Sequence, residues 1–323
     1  YKLQYYLHRL RKITDLYLPT RSCIQFDFSF NENQLRLYTL LMKYLPRNVD
    51  RNTSKFNLQQ KFTNLYFTKY MEDDFRVYDF LKGIVDKSPR DDLARAKSRV
   101  KHLEFLFYND NFIKYRKENN DNFVYMDLGG SDGLITSVIG KELGLKKDSI
   151  ISADIENWFE NIDRTKEPNV TFVTIQKEGR NIVTCFQVLH HIEKLDERLL
   201  ELNRIIKLGG YLVLREHDCI DNKVKILIDI EHSLYEMSVK DSKNSEFLEE
   251  YEAYYFSKKE IESKLRKIGF EYVETNYNTV DYSFDFTRNP TNIYYSMFVK
   301  TMDLFDEDGV GGKEEDGVGG KEE

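Results

Sequence analysis

Between residues 123 and 191 the sequence gathers side chains suited to holding a polar ligand. Asp127 stands directly before Leu128-Gly129-Gly130-Ser131-Asp132-Gly133, Asp154 follows the last of these glycines at 21 residues, and Gln187 and His190-His191 come after a further apolar run. Glycine lets a backbone bend sharply or approach a ligand with no Cβ in the way. An acid just before such a turn repels phosphate and suits a cationic ligand with an amino group. A second acid about 20 residues on, at the end of the next strand, is placed to accept hydrogen bonds from ribose hydroxyls. The same placement serves dinucleotide enzymes, but those want Gly-x-Gly-x-x-Gly, and no Gly-x-x-x-x-Gly-Lys-Ser/Thr element for a nucleoside triphosphate is present. Taken alone, the turn would also serve as an ordinary glycine-rich connection.

Positioning these residues asks for strands that end where they stand. The apolar run 123–126 reads as a strand into the turn, and 134–139 repeats at helical spacing behind it. Residues 149–154, 170–173 and 181–186 read as further strands. A helix over 196–207 runs to Gly209-Gly210, and 211–216 is the fifth strand. Helices are expected over 223–237 and 257–268, and closing strands over 270–275 and 292–300. Strands alternating with helices imply right-handed crossovers in a mainly parallel sheet. Ligands of such sheets sit outside the carboxyl ends of the strands, the edge that carries Asp127, Asp154, Gln187 and Arg215-Glu216.

Upstream, residues 1–22 read as a basic helix, 23–30 as a strand, and 31–45 and 72–85 as helices. A basic segment over 91–117 includes Lys97, Arg99 and Lys101, either a solvated helix face or an anion-facing surface beside the site. Residues 305–323 carry a repeated Glu-Asp-Gly-Val-Gly-Gly-Lys-Glu and read as a low-complexity, disordered tail. The expected division is a mostly helical extension over 1–117, a ligand-binding domain over 118–304, and that tail.

The 323 residues suffice for a sizeable core, and the net charge of −7 argues against a surface that binds nucleic acid all over. Three cysteines, Cys23, Cys185 and Cys219, lie far apart with no Cys-x-x-Cys or Cys/His metal spacing. They read as reduced thiols of a cytosolic protein that holds no metal. No apolar run approaches the ~18 residues of a membrane span, and no signal peptide is seen. A chain that opens at Tyr1 rather than Met is expected to be a piece of a longer polypeptide.

Asp127–Gly133, Asp154, the segment Phe186-Gln-Val-Leu-His-His191 and Leu208-Gly-Gly-Tyr-Leu-Val213 together resemble the class I S-adenosylmethionine-dependent methyltransferases. The resemblance covers roughly residues 123–299. It implies a Rossmann-like, mainly parallel seven-stranded sheet with helices on both faces, preceded here by the helical extension. In that family the acid before the turn faces the methionine amino group, the glycine backbone passes beneath the methionine, and the acid of strand two binds ribose. The cofactor set so implied is Asp127, Gly129, Gly130, Ser131, Gly133, Asp154, Ile155, Gln187 and Val188. The short stretch 175–180 leaves the adenine contact unassigned. No Lys-Asp-Lys-Glu tetrad is present and position 187 is Gln, which argues against ribose 2′-O methylation.

An oxygen acceptor usually needs a base to take its proton, whereas a ring nitrogen with a lone pair, such as guanine N7, can be methylated by positioning and electrostatics alone. No residue is therefore assigned as catalytic. Glu250-Tyr-Glu-Ala-Tyr-Tyr-Phe256 and Asn292-Ile-Tyr-Tyr-Ser-Met-Phe-Val299 are similar to the segments that contact the guanine in mRNA cap guanine-N7 methyltransferases. The substrate set this implies is His190, His191, Glu216, Glu250, Glu252, Tyr255 and Tyr294, with Lys97, Arg99 and Lys101 facing the RNA. The pattern, with Arg215-Glu-His-Asp218, resembles most the methyltransferase domain of capping enzymes of large cytoplasmic DNA viruses, of the African swine fever virus type. That implies capped RNA as partner, other capping domains on the same polypeptide, and a place in the host cytoplasm or virion. Plainer readings stand beside these. The histidines also suit a small-molecule N- or O-methyltransferase pocket, the same fold would also serve a non-catalytic module that binds RNA or a partner subunit, the tyrosines suit packing, and Glu216 could pair with Arg215.

Overall fold

The computed structural model describes residues 92–154, 163–174, 178–221, 224–225, 227–228, 231–232, 234–235, 252–276 and 289–304. The elements expected over 1–22, 23–30, 31–45 and 72–85, the tail, Ile155 and Glu250 lie outside them. Seven strands form one sheet: β1 (Tyr125–Leu128), β2 (Ile150–Ala153), β3 (Thr171–Val173), β4 (Arg180–Phe186), β5 (Ile206–His217), β6 (Phe270–Asn276) and β7 (Ile293–Lys300). Their order is β3-β2-β1-β4-β5-β7-β6. The first five run parallel, and β7 enters antiparallel between β5 and β6. The chain therefore reverses its direction of winding between β1 and β4, where open α/β sheets take their ligands.

Two-residue alternation divides the sheet into two buried faces. Met126, Val183, Cys185, Leu212, Leu214 and Phe298 point to one side, against Leu195, Leu199 and Leu202 of α5 (Leu195–Ile205) and Ile261 and Leu265 of α6 (Lys258–Lys267). Tyr125, Ile182, Val213, Tyr295 and Met297 point to the other. There they meet α1 (Asp92–His102), α2 (Glu104–Phe107), α3 (Asp110–Glu118) and α4 (Leu134–Glu142). Helices on both faces are what parallel strands require, because neither face reaches water.

The basic segment is three helices rather than one solvated face. Lys97 and Lys101 lie four residues apart on the exposed side of α1, while Arg99 turns inward and its Nη1 donates to Tyr295 Oη at 3.2 Å. Residues two apart on a helix face different directions, which splits the trio. The glycine pair at 209–210 also has another place. The chain passes from α5 straight into β5, and the glycines lie in a bulge where the pairing jumps from Arg180↔Ile206 to Ile182↔Tyr211. Lys300, buried at the end of β7, donates to the carbonyls of Asn203 (2.6 Å) and Ile206 (2.8 Å) and so caps the end of α5.

Candidate functional site

At the carboxyl end of β1 the buried Asp127 is gripped by two hydroxyls. Thr184 Oγ donates to its Oδ1 at 2.6 Å, and Thr136 Oγ donates to Oδ2 at 2.9 Å. Burial pushes this carboxyl up to about 6; the two hydroxyls oppose the rise and the charge of Asp154 adds to it. Such a group is anionic near neutral pH, and among the described residues no cation pulls its pKa back down. That is the state in which a carboxylate attracts an ammonium.

The turn after it needs its glycines. Gly129 sits at φ +74°, and a Cβ there would run into the side chain of Val188. At Gly130 a Cβ would strike Ser152 Oγ, with Thr136 Oγ at 2.8 Å. The loop thus lies flat between β2 and the segment after β4. Ser131 takes φ 47°, a conformation costly for a non-glycine residue, and its backbone N–H donates to Asp154 Oδ2 at 3.0 Å. Asp154, half-buried, therefore fixes the rim of the turn with one oxygen. Asp127, the turn and Asp154 are brought together as the sequence predicts.

The opposite wall rises from the ends of β4 and β5. Gln187 sits at φ 57°; its N–H donates to the Arg215 carbonyl at 2.6 Å, and its side-chain amide lies 2.8 Å from His217 Nε2. His217 Nδ1 lies 3.2 Å from the Thr291 carbonyl, which only accepts. Nδ1 therefore carries the hydrogen, and Nε2 accepts from Gln187. Burial lowers the His217 pKa to about 3, against the pull of Glu231, so the ring stays neutral.

Glu216 is locked into the same wall. Its Oε1 accepts from the Leu189 N–H at 2.9 Å and its Oε2 from His190 Nδ1 at 2.6 Å. Burial works to raise this carboxyl, but the charge and hydrogen bond of His190 and the Leu189 N–H prevail and hold it below the usual range. With both oxygens spent on the fold and 4% of its surface exposed, Glu216 is an anchor rather than the substrate contact the sequence suggests. Tyr294, paired with Glu216 across β5 and β7 and 1% exposed, is likewise a core residue. Tyr255 stays at the wall, half-buried and stacked on His190 with centroids 5.9 Å apart. Glu252 is exposed, and its carbonyl lies 3.1 Å from His191 Nδ1.

Thr136, Thr184, His217 and His232 belong to this architecture and were missed by sequence reasoning. Thr136 had a faint signal, a hydroxyl in the first turn of the helix behind the glycines. His232 had none, because the helical stretch that carries it is distant in sequence; its Nε2 lies 3.1 Å from His190 Nε2.

Residues 100–275 match the family model described as "Methyltransferase domain". No curated protein matches the chain in sequence. Among solved structures, magnesium protoporphyrin IX methyltransferase from Synechocystis PCC 6803, with bound S-adenosylhomocysteine, is 15% identical with a TM-score of 0.40, covering 74% of this chain and 98% of that one. A Thermotoga maritima protein described as an S-adenosylmethionine-dependent methyltransferase, possible histamine N-methyltransferase, is 15% identical with a TM-score of 0.36, covering 64% and 97%. The PH0226 protein from Pyrococcus horikoshii OT3 is 17% identical with a TM-score of 0.40, covering 63% and 90%.

Proposed function

The chain belongs to the methyltransferase-domain family, and we propose that it moves a methyl group from S-adenosylmethionine to a ring nitrogen, N7 of the guanine in an mRNA cap. The residues fit the donor. The cradle formed by Gly129 and Gly130 leaves no room for a Cβ, a buried carboxylate suited to an ammonium stands beneath it, and Asp154 stands at the rim where a ribose would lie. When bound, S-adenosylmethionine supplies an electrophilic sulfonium methyl group. Asp127 holds the amino group and Asp154 the ribose hydroxyls.

One observation carries the choice of acceptor. Both ring nitrogens of His190, and both of His217, are engaged by protein partners, and Glu216 spends both oxygens on the fold. Among the described residues of this wall, these groups are therefore not poised to take a proton from a hydroxyl. An acceptor that brings its own lone pair needs none, and positioning in line with the donor supplies the rate. Tyr255 offers a ring for stacking on a base and Glu252 an exposed carboxylate for its N–H edge, in the segment that resembles the cap-binding enzymes. Lys97 and Lys101 give RNA an exposed basic patch, and further capping domains on the same polypeptide would deliver the substrate.

The test is incubation with labelled S-adenosylmethionine and GpppG- or GpppA-capped RNA. Label recovered as 7-methylguanosine after nuclease digestion is the expected result. Label on ribose, or turnover only with small amines or hydroxy compounds, would reject the cap assignment while leaving the methyl donor in place.

A further inference from the structure

Three histidines from separate stretches converge beside the proposed acceptor wall. His190 and His191 follow β4, and His232 comes from the helical residues 231–232, far along the chain. One ring nitrogen from each lies within 4.8 Å of the others. From this we infer a binding site for a divalent transition-metal cation of the zinc class, ligated by His190, His191 and His232.

The hydrogen bonds on the far side of each ring carry the argument. His190 Nδ1 is 2.6 Å from the Glu216 carboxylate, His232 Nδ1 is 2.8 Å from the Ile228 carbonyl, and His191 Nδ1 is 3.1 Å from the Glu252 carbonyl. Carbonyl oxygens only accept, so Nδ1 of His191 and His232 carries the hydrogen and the lone pair is left on Nε2. The carboxylate sets His190 the same way. Metal-bound histidines almost always donate their second ring nitrogen to a carboxylate or carbonyl, which fixes the tautomer and strengthens the ligand. All three rings are braced in that manner.

The facing nitrogens fit the same reading. Nε2 of His190 and Nε2 of His232 stand 3.1 Å apart. Two nitrogens bound at about 2.0–2.1 Å to one tetrahedral zinc lie about 3.3 Å apart. Imidazole donors suit zinc, copper, iron or nickel rather than magnesium or calcium. Three protein ligands leave a fourth position for water or another donor.

A cation here would fasten three pieces of the acceptor wall: the turn after β4, the helical residues 231–232, and, through His191 and the Glu252 carbonyl, the segment before α6. The inference goes beyond methyl transfer and does not depend on which acceptor is used.

The experiment uses tag-free full chain stripped with a chelator and then titrated with zinc or cobalt(II). One metal per chain by elemental analysis, ligand-field bands of four- or five-coordinate cobalt, and a rise in Tm on zinc addition are expected. His191→Gln changes an exposed residue and spares the core, so it is the informative variant; His232→Gln is the second. Each removes a ligand and should weaken binding by more than the about 10–100-fold that loss of an outer-shell partner costs. Absence of stoichiometric binding by the wild type, or binding unchanged in both variants, would overturn the site.

Discussion

The two sides of the cleft are held by different means. On the donor side, Asp127 and Asp154 are fixed by two hydroxyls and one backbone N–H, contributed by β4, the first turn of α4 and the glycine turn. On the acceptor side, Glu216, His190, His217 and His232 form a buried polar network that joins β4, β5, the approach to β7 and the helical residues 231–232. Asp127 is as buried as Glu216 and likewise has both oxygens bonded, but its donors are rotatable hydroxyls rather than a ring and a backbone N–H. The acceptor-side network carries the fold as well as the site. A buried polar network costs little while every member is partnered and a great deal once one is removed.

This contrast breaks most visibly at Glu216. Glu216→Ala leaves His190 and the Leu189 N–H without their acceptor, so stability should fall by about 3–5 kcal/mol, read from denaturant unfolding. A loss below about 1 kcal/mol would mean that the acceptor wall is no anchor. Asp154→Ala is the donor-side counterpart. Binding of S-adenosylhomocysteine, measured by calorimetry, should weaken by about 1–3 kcal/mol through lost charged hydrogen bonds, with Tm nearly unchanged. Unchanged affinity would refute the ribose assignment.

Acidity separates the two sides further. Asp127 has its folded pKa raised to about 6 from 3.8, so the folded chain binds a proton that the unfolded chain releases between those values. Its ionised form therefore costs stability above pH 6, and that cost is relieved as pH falls. His217 has its folded pKa lowered to about 3 from 6.5, so its contribution is present above pH 6.5 and is lost as pH falls toward 3. Burial likewise holds His232 well below the usual imidazole value. Acid unfolding should thus track the histidine wall. Cofactor affinity should fall about tenfold per pH unit below 6 as Asp127 is protonated, and Asp127→Asn should flatten that profile at a lower affinity. An affinity independent of pH in the wild type would remove Asp127 from the amino-group contact. The smallest effect is expected at the surface. Lys97→Glu with Lys101→Glu should weaken capped-RNA binding severalfold at low salt and hardly at all at high salt, leaving small-cofactor affinity alone.

On the donor side the turn and its two acids were legible in the sequence because they are residue types with few alternatives, whereas Thr184, 57 residues from the Asp127 it grips, was not. A glycine that must accept φ +74° under Val188, or an acid at a strand end, leaves a mark at its own position. All seven strands were readable from apolar runs, and β5 differed only because α5 runs into it without a break. The acceptor wall was legible in its parts but not in their roles. His190-His191 stood out, yet the partner that turns one ring toward the other, His232, is supplied by a stretch whose apolar pattern announces only a helix. Glu216 and Tyr294 looked like ligand contacts because the sequence shows that they end or begin strands, not that the pairing of β5 with β7 buries them side by side. Arg99 was misplaced for the simpler reason that charge in a run does not reveal which side of a helix it occupies.

The bulge in β5 bears on all of this as a matter of odd and even. From Arg180 to Ile182 the chain advances by two residues on β4, while its partner advances from Ile206 to Tyr211 on β5. The three surplus residues are taken up within the bulge, so that Ile206 before it and Leu212 and Leu214 after it reach the same buried cluster. Successive strand residues face opposite sides of a sheet, and shifting one position exchanges those sides for every residue that follows. Deleting Gly209 alone would turn the carboxylate of Glu216 to the face now occupied by its neighbours and take from His190 the oxygen that sets its ring. A bulge residue with no ligand of its own, some way back along the strand, thereby decides which way the wall looks.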